Sequence, residues 1–270
     1  MTTDAARFAG DIPGYYDRHM GPVLFADYAA EMARRVAMLA PRRVLETAAG
    51  TGIVTRCLRD TLPGDAELVA TDFNPPMLEI AKAKFRADEA VAFQPADGTA
   101  LPFPDARFDA IVCQFGIMFF PDKAKGYREA FRVLAPGGHY FFSVWDSHAH
   151  NPSAGIAHAA LAAAHPADPP RFWLLPHSLS AIDPIKEGLS EAGFGEVTIS
   201  VVPLLKKIAD LEAFVRGLVY GNPSFTQISE RGIDPERLVA AMHAGLRQAV
   251  GESGTLKLQA ILYCARKPDR

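Results

Sequence analysis

The run Val44-Leu45-Glu46-Thr47-Ala48-Ala49-Gly50-Thr51-Gly52 constrains this chain more than any other stretch: an apolar strand ends in an acid and breaks into a glycine turn that opens a helix. Gly50 and Gly52 have no Cβ, so the backbone there can take positive φ and come close to a bound molecule. The helix predicted over 53–62 points its free N–H groups the same way. Such a strand, turn and helix open a parallel α/β unit, and a nucleotide-like cofactor is the candidate ligand.

The order of elements agrees. Apolar residues recur at helical spacing over 24–40 and stop before Pro41, which predicts an amphipathic helix leading into the first strand. Strands are predicted over 43–47, 67–71, 91–93, 108–114 and 139–145, with helices over 75–87 and 123–134 between them. Pro136-Gly137-Gly138 reads as a tight turn before the fifth strand. The strands are apolar on both faces, which implies a parallel sheet covered by helices on each side. After Trp145 the texture changes, first to an Ala- and His-rich stretch reaching His165 and then to a proline-rich link over 166–176. A helix over 179–192, a strand over 197–202, two or three helices within 209–250 and a closing strand over 256–265 complete the chain. The expected organisation is one domain: a helical cap (1–41), a cofactor-binding core (42–146), and the remaining strands with an inserted helical lid (147–270).

With 270 residues, 49% of them hydrophobic, the chain can bury a sizeable core. Its formal charge of -3 and the lack of long like-charge runs give no footprint for nucleic acid. Arg34-Arg35 and Arg42-Arg43 read as solvated faces. Cys57, Cys113 and Cys264 are odd in number, widely spaced and set in apolar surroundings, so they read as core residues of a cytoplasmic protein. Residues 1–14 lack the pattern of a signal peptide, and no segment is apolar for long enough to span a membrane. Asp146, His148 and His150 have no matched fourth ligand, so a polar loop is expected there and no metal site.

Three acids fall at or just beyond strand ends: Glu46, Asp72 and Asp97. Asp72 lies 22 positions beyond Gly50 (72 − 50), close to the spacing at which an acid accepts both hydroxyls of a ribose. A dinucleotide turn would read G-x-G-x-x-G, whereas here Ala48, Gly50 and Gly52 alternate and the third residue after Gly52 is Thr55. Glu46 beside the turn repels phosphates and suits a cation. A sulfonium cofactor bearing an ammonium group fits this better than a pyrophosphate.

At these residues the chain resembles the class I S-adenosylmethionine-dependent methyltransferases, in the small-molecule branch similar to the ubiquinone/menaquinone biosynthesis enzymes. Residues 46–52 and Thr71-Asp72-Phe73-Asn74-Pro75-Pro76-Met77-Leu78 carry it first. Asp97-Gly98-Thr99-Ala100-Leu101-Pro102-Phe103, then Phe108-Asp109, then Leu134-Ala135-Pro136-Gly137-Gly138 follow in order. The match runs well over 15–146 and loosely beyond, where Ala192-Gly193-Phe194 resembles a late helix-to-strand turn. Ala48 departs from the pattern, standing where the family usually has glycine. The resemblance implies a Rossmann-like, doubly wound, mostly parallel seven-stranded sheet with a helical lid, and S-adenosyl-L-methionine as cofactor. It places Glu46, Ala48, Gly50 and Gly52 at the methionine end, Asp72 on the ribose, and Phe73 and Met77 on the adenine. Asp97 would accept from the adenine amino group with Gly98 beside it, Gln114 would sit near the transferred methyl, and Tyr16 would fold over the cofactor.

Methyl transfer is an in-line displacement from an activated donor, so alignment and exclusion of water are the protein's main tasks. His19 and Gln114 are the candidate catalytic residues, a histidine being the natural base where an acceptor must lose a proton. Five of the eight histidines fall within 148–177. The apolar run Gln114-Phe115-Gly116-Ile117-Met118-Phe119-Phe120, with Phe172, Trp173, Phe214 and Tyr220, suits an apolar or aromatic small-molecule acceptor methylated on oxygen or carbon. The competing expectations are a nucleotide-dependent oxidoreductase and a cofactor-binding module without catalysis. Oligomeric state is open, with a homodimer among the expectations.

Overall fold

The structure is a computed structural model and describes residues 8–269. Seven strands form one sheet: β1 (Arg43–Glu46), β2 (Glu67–Asp72), β3 (Val91–Pro95), β4 (Phe108–Gln114), β5 (Leu134–Trp145), β6 (Val197–Lys207) and β7 (Thr255–Arg266). Their order is β3-β2-β1-β4-β5-β7-β6. The first five run parallel, and β7 lies antiparallel between β5 and β6. The apolar runs are explained by burial on both faces: Val44, Leu45 and all of Ala110-Ile111-Val112-Cys113 are 0% exposed.

Helices cover both faces. They are α1 (Ile12–Tyr15), α2 (Ala26–Ala37), α3 (Ile53–Thr61), α4 (Pro75–Lys82), α5 (Lys123–Val133), α6 (Pro152–Ala164), α7 (Ile182–Glu191), α8 (Leu211–Tyr220), α9 (Ser224–Glu230) and α10 (Pro235–Val250). Among the described residues no helix is long and apolar enough to cross a membrane.

Four differences from the sequence expectation have physical causes. The helix predicted over 24–40 is α2, shorter at both ends, and a π-helix at Tyr16–Phe25 runs into it. Pro22 inside that segment has no N–H to give the α ladder, and the wider turns aim Tyr16, Met20, Leu24 and Phe25 at one cavity. The glycine turn placed before the fifth strand lies within β5, where the register jumps from Phe108 beside Leu134 to Ala110 beside His139 and Gly137 takes φ 76°. β6 continues past residue 202 through Pro203, which an edge strand tolerates because one side of its ladder is unpaired. The Ala- and His-rich stretch contains α6, whose alanines favour a helix without marking one face.

The lid helices are tied to the sheet. α10 packs on α6 and α8, and α8 packs on the π-helix. Asn151, 1% exposed at the start of α6, fixes the join. Its amide donates to the carbonyls of Asp146 (3.0 Å), Ser147 (3.3 Å) and Gln259 (3.0 Å), and its Oδ1 accepts from the Gln259 N–H (3.0 Å). Asn151→Ala strands these buried groups, so it is expected to cost about 3 kcal/mol, seen as a fall of about 6 °C or more in the thermal midpoint. A fall below about 2 °C would remove this role from Asn151.

Candidate active site

The sheet order reverses between β1 and β4, and the largest of three neighbouring cavities lies at the carboxyl ends of the strands there. Three cavities meet at Tyr16. One, of about 980 Å³ counting its open mouth, is lined by Ala48, Gly50, Asp72, Phe73, Asp97 and Gln114 among others. A smaller one of about 310 Å³ reaches inward past Glu46, Thr51 and Gln114. The third, about 590 Å³, lies between the π-helix, the end of β5 and the lid.

The turn after β1 has the backbone its glycines permit: Gly50 takes φ 56° and Gly52 φ 77°. A Cβ on Gly52 would stand 2.8 Å from the Ala81 Cβ, so this glycine also lets α4 pack against the turn. Ala48 takes φ 52°, a left-handed conformation that costs an L residue about 1 kcal/mol or more. Its methyl has room because position 116 is glycine, whose missing Cβ would fall 2.4 Å from the Ala48 Cβ. The irregularity in the turn thus has a partner at the tip of the neighbouring strand.

Asp72, 6% exposed at the end of β2, ties the site together. Its Oδ2 accepts from the Gly50 N–H (2.8 Å) and its Oδ1 from the Asn74 N–H (2.7 Å). Burial raises its carboxyl above the usual range, while these bonds oppose the rise. Oδ1 also accepts from the Asn74 side-chain amide (3.2 Å), so Oδ2 is the oxygen that keeps a further lone pair for a ligand hydroxyl. Phe73, next in the chain, is 58% exposed and lines the main cavity as an open apolar surface. Met77 lines it too, but is 3% exposed and packs with Phe8, Ile12 and Tyr16. Asp97 accepts through Oδ1 from the N–H (2.7 Å) and hydroxyl (2.8 Å) of Thr99, which leaves Oδ2 for a donor in the cavity. Beside it, a Cβ on Gly98 would collide with the Phe120 ring at 2.2 Å, so the glycine makes space for that ring.

The inner end is acidic, and its nearby donors are the hydroxyls of Thr51 and Thr55. Glu46 is 1% exposed, and its Oε2 has no hydrogen-bond partner among the described residues. Burial pushes its carboxyl up to about 8, the Thr55 hydroxyl opposing the rise and Asp72 reinforcing it. Gln114 donates from Nε2 to the Phe25 carbonyl (3.3 Å), while its Oε1 is buried and unpartnered. Two orphaned acceptors beside a glycine turn make a receptor for a cationic donor group.

Tyr16 stacks on Phe25 at 4.8 Å and 19°, and burial raises its phenol far above the ordinary value. Phe8 closes over it edge-on at 5.6 Å and donates its N–H to Asn74 Oδ1 (3.1 Å). His19 is placed elsewhere. It lines none of these cavities and packs beside Tyr15, with its Cβ against the place a Cβ on Gly217 of α8 would take. The structure thus sets this histidine away from the three cavities that Tyr16 lines.

The third cavity is walled by Phe25, Phe115, Trp145, Phe172, Trp173 and His177. Phe115 and Trp145 stack face to face at 3.9 Å. Of the lid aromatics singled out from the sequence, Phe172 and Trp173 reach this cavity; Phe214 is core, and Tyr220 donates to Glu236 (2.7 Å). Trp145 and Phe25 were missed, although Trp145 ends β5 as Gln114 ends β4, a readable strand-tip position.

Residues 45–142 match the family model described as a methyltransferase domain. The demethylmenaquinone methyltransferase of Thermus thermophilus is 50% identical over 100 residues, which cover 37% of this chain and 45% of that protein. The matched stretch therefore spans less than half of that relative's length. Among solved structures, the YcgJ protein of Bacillus subtilis superposes with a TM-score of 0.58 at 20% identity, over 90% of this chain and 100% of that one. A phosphoethanolamine N-methyltransferase of Haemonchus contortus, solved with S-adenosylhomocysteine, gives 0.61 at 15% identity, over 95% of this chain and 57% of that one. Residues 45–142 are thus a methyltransferase domain, carried by this chain within the Rossmann-like fold of the class I methyltransferases.

Proposed function

We propose that the chain binds S-adenosylmethionine across the tips of β1, β2 and β4 and transfers its methyl group to a small, apolar or aromatic acceptor held in the third cavity. The observation that carries this reading is the pair of buried, unpartnered acceptors Glu46 Oε2 and Gln114 Oε1, which suit an ammonium, whose charge favours the ionised form of Glu46. Asp72 then takes the ribose hydroxyls, Phe73 covers the adenine face and Asp97 Oδ2 accepts from its amino group. The bound sulfonium supplies an activated methyl, and this chain's residues orient it and exclude water. Phe8, Tyr16, Phe115 and Phe119 line both the cofactor and acceptor cavities, so the two ligands would meet there.

Titration calorimetry with S-adenosylhomocysteine is expected to show one saturable site, and thermal stabilisation is expected with this ligand and not with NAD. Asp72→Asn loses acceptor capacity and should weaken binding by about 30-fold, near 2 kcal/mol. Absence of binding heat for the wild type, or stabilisation by NAD instead, would overturn the reading.

A further inference from the structure

One hydrogen bond fixes the state of His177, the titratable ring among the aromatic walls of the third cavity. Its Nδ1 stands 2.6 Å from the carbonyl oxygen of Asp146, and a carbonyl only accepts, so Nδ1 carries the proton and donates it. In the neutral ring Nε2 is then a bare acceptor, and no hydrogen bond among the described residues engages it. Among the groups facing the ring, only the Asp146 carboxylate favours its charged form through charge, and it is the smallest of the influences on the ring. The His148 ring lies edge-on at 4.6 Å with its Nε2 held 3.0 Å from the Trp173 carbonyl, and His158 stands behind it. The Asp146 carboxylate accepts from the Ser147 N–H (2.6 Å) and the Gln259 side chain (2.7 Å). Tyr16, whose phenol stays protonated, lines the same cavity. Burial lowers His177 from 6.5 to about 4, the Asp146 carbonyl opposing this, His148 adding to it and the Asp146 carboxylate weakly opposing it.

We propose that His177 Nε2 accepts the hydroxyl proton of a ring-bearing acceptor seated among Phe25, Phe115, Trp145, Phe172 and Trp173, so that this site methylates oxygen; the proposal rests on the methyl-transfer reading above. The acceptor oxygen bonds the methyl carbon as the carbon–sulfur bond breaks, with that bond's electron pair staying on sulfur, which becomes a neutral thioether. The hydroxyl proton passes to Nε2 and from there to solvent. A weak base suffices, because an oxygen that has begun to bond carbon is far more acidic than the free hydroxyl. A protonated amine suits the cavity poorly, since no carboxylate lines it.

The test uses the full chain with 15N-labelled histidine, and 2-naphthol and naphthalene as probes. The His177 signals, assigned by their loss in His177→Gln, should show Nδ1 protonated and Nε2 bare at neutral pH, and 2-naphthol should shift Nε2. Wild type should bind 2-naphthol about tenfold more tightly than naphthalene, and His177→Phe should keep naphthalene binding while losing that preference. Absence of 2-naphthol binding, a protonated Nε2, or an unchanged preference in His177→Phe would overturn the proposal. Calorimetry with S-adenosylhomocysteine on the same preparations separates the two readings: its loss alone overturns methyl transfer and leaves the hydroxyl site standing.

Discussion

Glu46→Gln is expected to weaken S-adenosylhomocysteine binding by roughly 100-fold and to abolish the proton release that accompanies binding in the wild type. With its carboxyl raised to about 8, Glu46 is mostly protonated at neutral pH before ligand arrives. An ammonium placed against it favours the ionised form, so binding expels a proton. Affinity should therefore rise with pH up to about 8, until the ligand's own ammonium begins to lose its proton. Calorimetry in two buffers of different ionisation enthalpy counts the proton directly. The same residue sets a trend in the unliganded protein. Its folded value lies above the ordinary 4.5, so the folded state holds more protons between 4.5 and about 8, and stability is lost as pH rises through that window. Glu46→Gln should flatten this slope. Equal affinity and equal proton release in wild type and variant would remove Glu46 from the ammonium site.

Gly116→Ala is expected to destabilise the protein by about 2–3 kcal/mol, and Ala48→Gly to restore more than half of that loss. The new methyl would stand 2.4 Å from the Ala48 Cβ and 2.8 Å from Cys113 Sγ, so the two strand tips must part. Ala48→Gly alone should be close to neutral, because relief of its left-handed backbone offsets the freedom that glycine gains when unfolded. Denaturant unfolding of the four proteins gives the coupling. Additive effects would show that the two positions do not share one space. Since Ala48 and Gly116 both line the main cavity, where the cofactor is proposed to bind, Gly116→Ala should weaken S-adenosylhomocysteine binding as well.

What the sequence disclosed follows from where each signal is written. Val44-Leu45 and residues 110–113 are apolar because both faces of the sheet are covered, so burial prints itself on consecutive residues. Glu46, Asp72 and Gln114 were readable because a strand ending in a polar side chain has few other uses for it. The reasons for the glycines were less legible: Gly98 and Gly116 answer to Phe120 and Ala48, neighbours that no local pattern names. His19 was a candidate by residue type alone, and residue type does not say which way a side chain faces: it packs beside Tyr15 and against α8. The lid hid most. α6 is apolar with no marked face, and His177 reaches its cavity through a hydrogen bond to Asp146, 31 residues earlier. Asp109, part of the resemblance, sits away from the cavities: it takes the N–H groups of Arg42 (3.1 Å) and Arg43 (2.9 Å) at the opposite ends of the strands.

The position of β7 bears on how the molecule is made. It follows every other strand in the chain and yet occupies the interior of the sheet, pairing with β5 along one side and β6 along the other. During synthesis β1 to β5 can assemble as they emerge, but β6 has no place to dock until residues 255–266 have left the ribosome. Through that interval β5 presents an unpaired edge that includes Trp145, which pairs with Ala260 once the sheet closes. The wall of the third cavity that Trp145 supplies therefore forms after the glycine turn that follows β1, and a nascent chain can hold that turn well before it can close the cavity.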